Sequence, residues 1–145
     1  MKTTERFDNA VSKLYNAFHD GMLDAMSCEM CAVGNMCNND PSWDDLPIFI
    51  STTRFGNHFG ENYIDEHQDN ALEVIKKTGY SPEELKQVEI LFITACEFTK
   101  GNKQQQFKGL CAVVEYLCEL DNIPNIMDYT KLFETENDKP KYQLS

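Results

Sequence analysis

Apolar residues return every three or four positions through most of this 145-residue chain, and that period leaves little room for anything but helices. Phe7, Ala10, Val11, Leu14, Tyr15 and Phe18 form the first stripe, and Gly21 supplies its stop. Ile64, Ala71, Leu72 and Ile75 share a second face, closed by Lys76-Lys77-Thr78-Gly79. Ser81-Pro82-Glu83-Glu84 is the clearest helix start. Ser81 caps, Pro82 suits the first helical position, and Glu84 reaches back to complete a capping box. The helix after it directs Leu85, Val88, Leu91, Phe92, Ala95 and Cys96 inward, with Ile90, Ile93 and Phe98 widening the stripe. Gly101-Asn102 breaks that helix. The next one presents Phe107, Leu110, Cys111, Val114, Leu117 and Cys118 and stops near Asp121-Asn122-Ile123-Pro124, before a short last helix from about Ile126 to Phe133.

The expected fold is therefore all-α: one compact bundle of five to six helices with a cysteine-rich loop, spanning residues 1–134. Residues 135–145 read as a flexible polar tail. The one candidate strand, Pro47 to Thr53, has nothing to pair with. Trp43, between Ser42 and Asp44, reads as an anchor that holds a short capped turn against the core.

A formal net charge of −11 argues against nucleic acid, whose binding rests on Lys and Arg displacing counterions, and favours a partner with a basic surface. No stretch approaches the ~20 apolar residues of a membrane span, and Met1 to Asp8 lack an apolar signal core, so the reading places the chain in the cytoplasm without membrane insertion. In that reducing compartment the six cysteines serve better as ligands, redox groups or buried thiols than as disulfides.

Cys28, Cys31 and Cys37 form a Cys-x2-Cys step followed by a Cys-x5-Cys step. The first step lets one turn aim two sulfurs at a common centre, and the longer loop brings a third around it. Gly34 lets backbone amides come close to the sulfurs. Three ionised thiolates repel one another, so the group makes best electrostatic sense around a cation. A structural zinc site usually shows two separated ligand pairs, and only scattered His19, His58 and His67 offer a fourth donor here. Three clustered cysteines with a distant fourth is a layout of a [4Fe–4S] cluster. Cys111 is the chosen fourth ligand, since Gly109 leaves room beside its helix, with Cys96 as the alternative and Cys118 as core. The metal set is thus Cys28, Cys31, Cys37 and Cys111, holding an iron–sulfur cluster or, alternatively, Zn2+. A metal-free bundle of core thiols is the remaining alternative.

No nucleotide-binding glycine motif, nucleophile elbow or His-Glu-x-x-His pattern is present, so no catalytic residue is assigned and a stand-alone enzyme is not expected. Met22, Met26, Met30 and Met36 surround the cysteines as packing.

Several stretches resemble a small bacterial family often labelled as the ferredoxin-bearing component of Na+-translocating NADH:quinone reductase. They are Cys31-Ala32-Val33-Gly34-Asn35-Met36-Cys37, the segment from Gly109 to Asn125, the opening from Arg6 to Phe18, and Met127 to Phe133. The resemblance implies iron–sulfur chemistry. The order Cys-x2-Cys-x5-Cys reverses that of plant-type ferredoxin domains and is similar to that of [4Fe–4S] proteins. No flavin, NADH or sodium-site residue is carried over.

Overall fold

Thr4 opens the first helix by accepting the Phe7 amide on its hydroxyl at 3.2 Å. The computed structural model describes residues 4–40, 42–43 and 70–123. Among them lie five helices: α1 (Glu5–His19), α2 (Ala32–Met36), α3 (residues 70–76), α4 (Pro82–Ala95) and α5 (Lys103–Leu120). No strand occurs among the described residues, and none of their helices is long and apolar enough to cross a membrane. The candidate strand at Pro47–Thr53, the expected Ile126–Phe133 helix and the polar tail lie outside the described residues.

The all-α bundle is as the periodicity requires. α1 buries Phe7, Ala10, Val11, Leu14, Tyr15, Ala17 and Phe18. It stops where Gly21 takes φ +72° and the Met22 amide reaches back to the Ala17 carbonyl at 2.8 Å. α3 buries Ala71 and Ile75 and ends at Gly79, φ +82°. α4 and α5 make a helical hairpin, α1 packs on α2 and α5, and α2 packs on α4.

The capping box at α4 is complete: Glu84 N–H donates to Ser81 Oγ at 3.2 Å, and Ser81 N–H donates to Glu84 Oε1 at 2.8 Å. Ser81→Ala should cost about 1 kcal/mol in chemical denaturation, with no change in helix content of the folded state. A second box at α5, Asn102 with Gln105, is harder to see in the sequence because a lysine and glutamines follow Asn102 rather than acids.

Two details differ from the expected stripe. Phe98 lies beyond the end of α4 at φ +58° and is 61 % exposed, because the helix has already closed at Cys96. Leu91 and Ala95 are only half-buried, and Glu89 joins Leu85, Val88, Phe92 and Ile93 in the buried set of the helix.

One polar network ties three distant segments together. Arg6 Nε donates to Asp121 Oδ1 at 2.8 Å, and Arg6 Nη2 pairs with the same oxygen. Tyr80 OH and Thr4 Oγ1 donate to Asp121 Oδ2 at 2.9 and 2.7 Å. Arg6 also binds the Gly79 carbonyl at 2.8 Å and lies 4.2 Å over the Tyr80 ring. The start of α1, the α3–α4 turn and the C-cap of α5 thus meet at one carboxylate.

Candidate functional site

Residues 22–40, with Ser42 and Trp43, fold into a hairpin around α2, and its shape follows from a few polar side chains. The Asp24 amide donates to the Met30 carbonyl at 2.8 Å, and the Cys31 amide to the Ser27 carbonyl at 2.9 Å, which winds the Cys-x2-Cys step into one turn. Asn35 Nδ2 satisfies the carbonyls of Met22, Met30 and Cys31 at 3.1, 3.0 and 3.1 Å. Asn39 bridges to the Glu29 carbonyl at 2.8 Å. Asn38 and Asn39 take φ +59° and +63°, a region asparagine tolerates, and so reverse the chain after α2. Trp43 is fully buried and donates its indole N–H to the Cys28 carbonyl at 2.8 Å, the anchoring role read from its position in the sequence.

Cys31 is the N-cap of α2. Its sulfur stands where serine usually does and accepts the Gly34 amide at 3.3 Å. Gly34 is required by close approach: a Cβ there would lie 2.4 Å from the Cys28 carbonyl oxygen and 2.6 Å from the Glu29 backbone. The Cys31 thiol also points toward Glu89 Oε2 at 3.8 Å, and both residues are fully buried.

Cys28 is half-buried. Cys37 is buried at the C-cap of α2 and its thiol is pushed up to about 12, chiefly by burial, with Lys13 opposing and Asp40 adding to the rise. Cys31 and Cys37 therefore cap opposite ends of the helix, separated by about 9 Å of axial rise. Cys111 is half-buried on α5. The space beside Gly109 is taken by α4, since a Cβ on Gly109 would meet Phe92 Cδ1 at 2.8 Å and Ala95 Cβ at 3.3 Å. Cys96 and Cys118 are buried thiols raised to about 11, mainly by burial, with Asp24 acting on the first and Asp121 and Glu115 on the second.

Among the described residues, no three His, Cys, Asp or Glu side chains are grouped so that they could hold one metal ion. His19 lies against Tyr15 and Phe18, with ring centroids 4.6 and 5.3 Å away. His58 and His67 lie outside the described residues. What the structure brings together is the Cys28–Cys31 turn, the Gly34 amide and the Glu89 carboxylate. Glu89 belongs to no sequence motif, although an acid flanked by Val88 and Ile90 on the most apolar helix is a usable signal.

No family model, curated protein or solved structure matches this chain.

Proposed function

We propose that this protein binds metal through the thiolates of Cys28, Cys31 and Cys37, with an iron–sulfur centre as the occupant and electron transfer or redox sensing as its work. The observation that carries this reading is the Gly34 amide aimed at Cys31 Sγ at 3.3 Å, in a backbone packed too closely for any side chain. Amide donors to sulfur tune the charge and potential of metal-bound thiolates. The burial that pushes the Cys37 proton affinity up is also what a bound cation reverses, because it takes over the thiolate's charge.

Bringing Cys31 and Cys37 to one centre requires the single turn between them to open, with loss of the Asn35 N–H to Cys31 carbonyl and Cys37 N–H to Val33 carbonyl bonds, both 2.9 Å. Loading therefore changes the backbone of residues 31–39. The hairpin supplies the thiolates, the bundle excludes water, and the acidic chain, at net charge −11, draws a basic partner.

Protein isolated without oxygen should show a broad visible charge-transfer absorption that dithionite bleaches. Cys28→Ser, Cys31→Ser and Cys37→Ser should each lower metal content and the melting temperature of the loaded protein. Unchanged metal content and melting in all three variants would remove the proposal. Zinc without iron or sulfide would replace the redox role with a structural one, in which the ion pins the hairpin to the bundle.

A further inference from the structure

We propose that an open cleft between α1 and the Asn38–Asn39 reversal binds a small neutral polyol, of the size and chemistry of a single sugar ring. The proposal stands on side chains other than the cysteines and does not rest on the metal reading above. Lys13, Asn16, Ala17 and Asp20 share one face of α1 and form one wall. Met22, Asn35, Asn38 and Asn39 form the other. The cavity measures about 240 Å³, below the roughly 300–1,000 Å³ of clefts that take drug-sized ligands, so its occupant is small. Lys13 Nζ donates to the Met36 carbonyl at 3.3 Å and so ties the α1 wall to α2, with further N–H groups left to donate.

Four of the eight lining residues are asparagines. Asn35 is held on all sides, since it donates to three hairpin carbonyls and accepts from Asn39 Nδ2 at 3.2 Å, and it fixes the cleft wall. Asn39 also donates to the Glu29 carbonyl at 2.8 Å and keeps its own side-chain oxygen as an acceptor. Asn16 and Asn38 are exposed, and each presents a donor beside an acceptor, the pairing that neighbouring hydroxyls match. Glycine would suit φ +59° and +63° better, and asparagine at both positions brings amides to the rim instead. Lys13 and Asp20 stand seven positions apart on α1, about 10 Å of axial rise, so their opposite charges lie at the two ends of the wall. An anion gains at one end and loses at the other. An α-amino acid, with both charges on one carbon, cannot reach both. A neutral ligand rich in hydroxyls meets the amides between them, while Ala17 and the half-exposed Met22 give its C–H face an apolar contact.

Heteronuclear NMR titration of the full-length, reduced, metal-free chain tests this, with glucose, galactose, mannose and ribose as probes and glycylglycine as the zwitterionic comparison. At least one sugar should give saturable shifts of the Asn16 and Asn38 side-chain amides and of the backbone amides of residues 35–39. Asn38→Gly keeps the left-handed backbone and removes the amide, and Asn16→Ala changes an exposed position of α1, so both variants should fold as wild type. Each should weaken binding of that sugar by about fivefold or more. Unaltered backbone spectra away from the cleft separate loss of a contact from loss of the fold. Shifts that fail to saturate with every sugar, or titrations that both variants leave unchanged, overturn the site. Saturation by glycylglycine and by no sugar overturns the polyol assignment and makes the cleft a peptide-like zwitterion site.

Discussion

Gly34→Ala should unseat the cysteine hairpin and destabilise the protein by about 3 kcal/mol or more in urea denaturation, the upper end for a single methyl. The added carbon would sit 2.4 Å from the Cys28 carbonyl oxygen and 2.6 Å from the Glu29 carbonyl group. These are backbone atoms. They are fixed by the turn from Ser27 to Cys31 and by the Trp43 indole, which holds the Cys28 carbonyl. No rotamer change relieves such a clash, so the hairpin must move away from α2, exposing Trp43 and withdrawing the Gly34 amide from Cys31. Tryptophan fluorescence should shift to the red in the native baseline, since Trp43 is the single tryptophan of the chain. Gly109→Ala is the instructive contrast. Its closest neighbour at 2.8 Å is a ring carbon of Phe92, a side-chain atom rather than backbone, so the cost should be smaller. If both alanines cost the same, or Gly34→Ala is tolerated, the close approach at Gly34 is not what shapes the hairpin.

Asp121→Ala should cost about 2–4 kcal/mol, because it leaves Arg6, Tyr80 and Thr4 without their common acceptor. Asp121 is nearly enclosed, with a side chain 2 % exposed, whereas Arg6 keeps 31 % and shares its charge with solvent. The pH dependence follows from the same contacts. Burial alone would raise the Asp121 carboxyl, but hydrogen bonds from Arg6, Thr4 and Tyr80, together with the Arg6 charge, outweigh it and hold the group below its ordinary value of 3.8. A carboxyl depressed in the folded state binds fewer protons there than in the unfolded chain. Its stabilisation is complete above the ordinary value and is lost as pH falls through the folded one. Wild type should therefore lose stability more steeply below pH 3.8 than Asp121→Asn. Parallel acid slopes for the two proteins would show that the network contributes no linked protonation.

How much of this is legible in the residues depends on the range of the interaction. The α1 stripe from Phe7 to Phe18, the Ser81–Glu84 box and the Gly79 stop are contacts within one or two turns, and the chain order alone specifies them. Gly34 is readable as a point where an amide nears a sulfur, and the amide is there. The buried stripe on α5 is rotated from the expected one. Gln106, Gly109 and Val113 are buried while Phe107 and Cys111 are half-buried, because α5 meets α4 across Gly109 rather than across the bulkiest residues.

The rest depends on which segments meet, and local period carries no information about that. Asp121 reads as a helix stop and Arg6 as part of a helix start, since 115 residues separate them. Glu89 sits outside every motif because its significance is its distance to a cysteine 58 positions away. The short α2 helix is equally hidden. Its N-cap is a cysteine, which belongs to no standard capping pattern, and it separates Cys31 from Cys37 where spacing alone suggests convergence.

Counting metal and acid-labile sulfide per chain in protein purified without oxygen decides whether Cys28, Cys31 and Cys37 hold an iron–sulfur centre. Iron and sulfide are expected in comparable, stoichiometric amounts, with fewer than six thiols titratable until the centre is removed. A chain free of metal and sulfide, with all six cysteines titrating on unfolding and no band appearing when iron and sulfide are supplied, would contradict it.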